Sequence, residues 1–99
     1  MTTLIIFLAA GCASTASTSS CNATLQVGVS FSGAQELAEI DHCASALLCC
    51  SACMANPECV AFTWHDATTK GGKALQCKLK STKATDVKKA KGHTSGTCR

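Results

Sequence analysis

Cys49-Cys50-Ser51-Ala52-Cys53-Met54-Ala55-Asn56-Pro57-Glu58-Cys59-Val60-Ala61-Phe62-Thr63-Trp64 holds four cysteines, a helix stop and an aromatic strand. Its first half completes a helical segment that runs from Ser45 to Asn56. The Ser45 hydroxyl can accept a hydrogen bond from a free N–H of the first turn. Ala46, Leu47, Leu48, Ala52, Met54 and Ala55 mostly favour helix. Asn56-Pro57 stops it, because the residue before proline is pushed out of the helical region. The segment is almost uniformly apolar, which predicts a well-buried helix. Cys49 and Cys53 are four apart and share one helix face.

From Cys59 to His65 the period changes to two. Val60, Phe62 and Trp64 fall on one face of a strand, and Ala61, Thr63 and His65 on the other. Asp66 to Lys73 is polar, with Gly71-Gly72 as a turn. Leu75 to Lys80 alternates again, with Leu75, Cys77 and Leu79 opposite Gln76, Lys78 and Lys80. Two such strands around a glycine turn predict an antiparallel hairpin. A helix lying on it could be bolted twice. Cys53–Cys59 would close a short loop across the Asn56-Pro57 corner, and Cys49–Cys77 a longer one. Each bridge would contribute about 2–4 kcal/mol through chain entropy.

Outward from this centre the signals are weaker. Gln26 to Ser32 places Val27, Val29 and Phe31 on one side of a further strand, punctuated by Gly33. Glu36 to Asp41 is a second strand or a loop, and His93 to Cys98 a last extended piece. Lys88, Lys89 and Lys91 fall in an expected loop. The chain has 99 residues, nine cysteines and four aromatics. A core of that size is marginal without covalent help, and the cysteine density marks a disulfide scaffold in an oxidising compartment.

The N-terminus agrees with export. Leu4 to Ala10 is an apolar run of signal-peptide length, too short to span a bilayer. Cleavage is expected after Ala13 or Ala16, which gives a signal peptide over 1–16, a Ser/Thr linker over 17–20 and a domain over 21–99. Removal of Cys12 would leave eight cysteines, an even number. Alternatively, Leu8-Ala9-Ala10-Gly11-Cys12 resembles a bacterial lipobox and Cys12 is a lipid anchor. Asn22-Ala23-Thr24 is an N-glycosylation sequon.

The run from Cys49 to Trp64, followed by Cys77-Lys78-Leu79-Lys80, resembles the apple/PAN domain family. That family shows a helix with Cys-x3-Cys, an Asn-Pro-x-Cys corner, an aromatic strand and Cys-x-Leu-Lys. The double cysteine and Phe-Thr-Trp look closest to short apple-like modules of secreted, lectin-like proteins of microbial eukaryotes. The resemblance covers roughly residues 21–98. It implies an α+β fold with one helix on a small, curved antiparallel sheet. It also implies the bridges Cys49–Cys77 and Cys53–Cys59, with Cys21–Cys98 tying the termini. Cys43 and Cys50 are extra to the six-cysteine pattern. They pair with each other, or Cys21–Cys50 and Cys43–Cys98 form instead.

The function implied is a secreted, non-catalytic recognition module that uses no cofactor and binds a glycan or an extracellular protein. A rival class is a small zinc or redox protein. Cys50-x2-Cys53 has ligand spacing, with His42, His65 and His93 available, and it also matches the Cys-x-x-Cys redox form. Neither chemistry suits crowded cysteines in an oxidising compartment. Glu36, Glu39, Asp41, Glu58, Asp66 and Asp86 form no constellation with a nucleophile, so hydrolysis has no visible basis.

Charge gives the functional hint. All nine Lys and Arg residues lie between 70 and 99 with one acid, which makes that segment +8. The five acids before it meet no basic residue, and the chain sums to +3. Such asymmetry favours anionic partners, and export argues against nucleic acid. Candidate ligand residues are Trp64, His65, Lys78, Lys80, Lys88, Lys89 and Lys91. Trp64 either stacks on a sugar ring or packs beneath the helix with Phe62 and Val60.

Overall fold

In the computed structural model the described residues are Cys12, Cys21 and 23–99. The signal-peptide stretch, the Ser/Thr linker and Asn22 therefore lie outside the described residues, Cys12 apart. The elements run β1 (Gln26–Ser32), β2 (Glu36–Ile40), α1 (Ala46–Ala55), β3 (Ala61–His65), β4 (Cys77–Lys80) and β5 (Asp86–Thr97). All strand pairs are antiparallel, in the order β1-β5-β3-β4-β2. This is the expected α+β architecture.

Helix α1 begins and ends where its caps dictate. The Leu48 N–H donates to Ser45 Oγ at 3.1 Å, and the Asn56 N–H donates to the Cys53 carbonyl. The helix is less buried than its composition predicts. Its buried residues are Cys49, Cys50 and Cys53, whereas Leu47 is 58 % exposed. The sulfur-bearing stripe alone is fully buried, with Leu48, Ala52 and Met54 partly buried beside it. That stripe packs with Phe62, Cys77 and Leu79 from β3 and β4.

Strand β4 starts at Cys77 rather than Leu75. Leu75 adopts a left-handed backbone, with φ of 60°, so the chain turns there. Its carbonyl accepts the Cys43 N–H at 2.7 Å and anchors the approach to the helix.

Strand β5 departs furthest from expectation. It is twelve residues long and absorbs Lys88, Lys89 and Lys91 into a strand instead of a loop. It also cannot be straight. Five residues link Lys80 to Asp86, and Thr97 pairs with Ala61, which pairs with Lys80. Both ends of β5 thus lie at the same end of the sheet. A straight strand of that length would separate them by roughly 36 Å. The β1–β2 link gives the same constraint. Strands β1 and β2 are opposite edges, about 19 Å apart in a flat sheet. Gly33, Ala34 and Gln35 between them reach about 14 Å.

The chain resolves both constraints by folding the β1–β5 ribbon back on itself. The register jumps from Val27↔Thr94 to Val29↔Lys89. Gly28 and Gly92, both in left-handed conformations, sit at the bend. The outer half of the ribbon then lies over β3. The Phe31 N–H donates to Thr63 Oγ1 at 3.4 Å, Thr63 Oγ1 and Ser95 Oγ share a hydrogen bond of 2.7 Å, and Ser95 Oγ donates to the Val29 carbonyl at 2.9 Å. The sheet is sandwiched, with the helix on one face and its own ribbon on the other.

Candidate recognition site

Disulfides fix the helix side. Cys49 is bonded to Cys77 and Cys53 to Cys59. Cys21 is bonded to Cys50 and Cys12 to Cys43. Cys98 is a free, half-buried thiol, and burial pushes its pKa up. The tie between termini, Cys21–Cys98, is therefore not formed, nor are Cys43–Cys50 or Cys43–Cys98. The reason lies in the topology. Cys50 sits beside Cys49 on the buried helix stripe and meets Cys21 there. Cys43 lies at the His65 end of β3, beside Trp64, while the Cys98 N–H donates to the Val60 carbonyl at the other end.

These bonds also dispose of two chemical readings. Cys50 and Cys53 are each bonded elsewhere, so neither a zinc site nor a redox pair is assembled from Cys50-x2-Cys53. The sulfurs of Cys12, Cys43 and Cys77 lie within 4.8 Å of one another, but all three are consumed in bridges. With Cys12 bonded to Cys43, its sulfur is not available for a lipid anchor.

The candidate ligand residues do not share one surface. Trp64 faces the helix side, half-buried against the core, and its indole N–H donates to the Cys43 carbonyl at 2.9 Å. His65, Lys78 and Lys80 face the ribbon side. His65 and Lys80 are buried. Burial, aided by Lys78, lowers the Lys80 pKa against the opposing pull of Glu36 and Glu39. Lys78 Nζ lies 3.6 Å from Glu39 and 3.9 Å from Glu36. Lys88, Lys89 and Lys91 alone stand exposed, on the folded ribbon.

Two further residues take roles that the sequence did not suggest. The guanidinium of Arg99 donates to the carbonyls of Cys53, Met54 and Cys59, and so closes the C-terminal end of α1 and the corner after it. His93 pairs with His65 across β5 and β3, and the two rings stack with centroids 4.2 Å apart. No local pattern announces either contact, since each joins residues far apart in sequence.

The charges belong to different strands: Glu36, Glu39 and the following Asp41 to β2 and its end, and Lys88, Lys89 and Lys91 to β5. No helix among the described residues is long and apolar enough to cross a membrane.

One helix on an antiparallel sheet, bolted through Cys49–Cys77 and Cys53–Cys59, defines a disulfide-rich recognition scaffold. Residues 32–80, which carry β2 to β4 and both bolts, match the PAN domain family model, and the chain belongs to the apple/PAN family. The search of curated proteins finds no match to it. Domains of this family are in general non-catalytic modules that bind protein or carbohydrate.

Proposed function

We propose that the chain is a secreted, non-enzymatic module that binds an anionic glycan of a cell wall or matrix through the β5 ribbon. One observation carries this reading: Lys88, Lys89 and Lys91 are all exposed on the β5 ribbon, whereas Lys80 is buried and Lys78 is engaged by Glu36 and Glu39. Three ammonium groups in one solvated strand segment create a positive field for carboxylate or sulfate groups. Lys78 takes little part, because Glu36 and Glu39 occupy it. Trp64 contributes only the exposed part of its ring, since its N–H is already used.

Protein–protein adhesion is the second reading. Val87, next to Lys88, is 53 % exposed and Val27, beyond the bend, is 80 % exposed, so the ribbon presents apolar side chains as well as lysines. A glycan array probed with the oxidised protein at increasing salt separates the two. The glycan reading expects binding to acidic glycans that weakens steeply with salt. It also expects a loss of roughly tenfold or more in the Lys88→Ala/Lys89→Ala/Lys91→Ala variant. Binding that ignores both salt and this variant would overturn it, and loss on Trp64→Ala alone would move the site to the helix side.

Export enters the same proposal. Cleavage after Ala13 or Ala16 would separate Cys12 from the domain and deprive Cys43 of its partner. Mass spectrometry of the non-reduced protein tests it. A mature chain starting beyond Ala13 with a Cys43 thiol supports removal, and an intact Cys12–Cys43 bond on an uncut chain contradicts it.

A further inference from the structure

The bend of the ribbon rests on the end of β3 through groups that change charge. Gly92 packs on the β3–β4 connection, where its carbonyl accepts the Asp66 N–H at 2.8 Å. A Cβ at Gly92 would lie 3.0 Å from Asp66 Oδ1 and 3.2 Å from the hydroxyls of Thr68 and Thr69. Next to it, the His93 ring lies on the His65 ring, with planes 20° apart. His65 is 5 % exposed, and Nδ1 of both rings is buried without a protein partner.

We propose that this stack is an acid-operated latch. With both rings neutral it seats the bend on β3. With both protonated it releases the bend and lifts the outer ribbon, Phe31 included, from Thr63 and Ser95. The inference does not depend on what the ribbon binds.

The groups around the stack oppose the added charge more than they favour it. His93 and Lys78 of β4 both oppose protonation of His65, and the Lys73 backbone of the β3–β4 connection favours it while the Lys73 charge opposes it. On β5, Lys91 precedes the pair by two residues and is exposed. From the β2 edge, Glu36 and Glu39 are engaged by Lys78, and Asp41 accepts from Gln76. Asp66 is the one carboxylate that favours charge on His93. Its Oδ1 already accepts from both the N–H and the hydroxyl of Thr68. Those hydrogen bonds hold its own pKa below the usual carboxylate range.

Burial first, and then His93, lower the His65 pKa from the ordinary 6.5 to about 4. Burial likewise lowers that of His93. The sign follows. In the open form the rings regain solvent and take up protons near 6.5, before the closed form does. Closure is therefore fully favoured above that pH and progressively lost as pH falls toward 4.

The test is an NMR titration of the labelled protein from neutral pH to pH 4, following the backbone amides and the imidazole C2 protons. The latch expects the amides of Phe31, Thr63 and Ser95 to shift together with the imidazoles, and their exchange protection to fall at least about tenfold. The helix amides of residues 46–55 should stay unchanged. In His93→Gln, chosen because His93 is less buried than His65, the coupled transition should disappear while the neutral-pH spectrum persists. Asp66→Asn controls for titration of that carboxylate and should keep the transition. Imidazoles that titrate without moving Phe31 and Ser95, or the same transition in His93→Gln, would overturn the proposal.

Discussion

On the helix side of β3, Phe62 meets a stripe of cysteines that are covalently tied across the interface. On the ribbon side, one residue on, Thr63 meets Ser95 and a backbone N–H of β1 through hydrogen bonds alone. The contrast arises from parity. Adjacent residues of one strand point to opposite faces, so Phe62 and Trp64 join the sulfur layer while Thr63 and His65 join a polar one. The cover differs accordingly. The helix side is fastened by bonds that restrict the unfolded chain, whereas the ribbon side is fastened by net contributions of about 1 kcal/mol per hydrogen bond. The covalent face provides a frame, and the polar face carries the exposed lysines and the histidine stack. Mobility and pH response are expected on the second face.

The largest blow to this contrast comes from Cys49→Ala. It removes the bond from helix to β4 and leaves a buried thiol at Cys77, which is 0 % exposed. We expect a loss of about 2–4 kcal/mol, or failure of oxidative folding, measured by denaturant unfolding of the refolded protein. A variant as stable as the parent would remove the special status of the sulfur side. Thr63→Val comes next. It deprives Ser95 Oγ and the Phe31 N–H of a common partner. The expected cost is about 1–3 kcal/mol, read by thermal unfolding, with the ribbon affected before the helix. Ser45→Ala is the smallest. It strips the N-cap that receives Leu48 N–H and should cost about 1 kcal/mol. Because three bonded cysteines lie on α1, its helix should survive this change, and circular dichroism will show whether it does.

What the sequence disclosed divides along the same line. The helix, its Ser45 and Asn56-Pro57 limits and the β3–β4 hairpin were legible, because each depends on neighbours within a few residues. The bolts Cys49–Cys77 and Cys53–Cys59 followed from that local frame and the family pattern. Cys21–Cys50 was one of two alternatives, and the Cys12 partner of Cys43 was not foreseen, since both depend on where distant segments return. The ribbon was hidden for a different reason. Asp86 to Gly92 is rich in lysine and poor in β-branched residues, so its strand state is imposed by pairing with β1. The fold-back at Gly28 and Gly92 then buries Phe31 at 5 % exposure and leaves Val27 at 80 %, although a straight strand would have put both on one side. Of the candidate ligand residues, only the three ribbon lysines are fully presented to solvent. Sequence alternation had assigned Lys78 and Lys80 to an outward face that the ribbon covers.

Peptide-resolved amide hydrogen exchange of the oxidised protein at neutral pH tests the division between the faces most directly. The account predicts that residues 46–55 and 77–80 exchange slowest, and that residues 28–32 and 86–92 open first in a separate, lower-energy step. Equal protection of both regions, or a helix that exchanges before the ribbon, would contradict it.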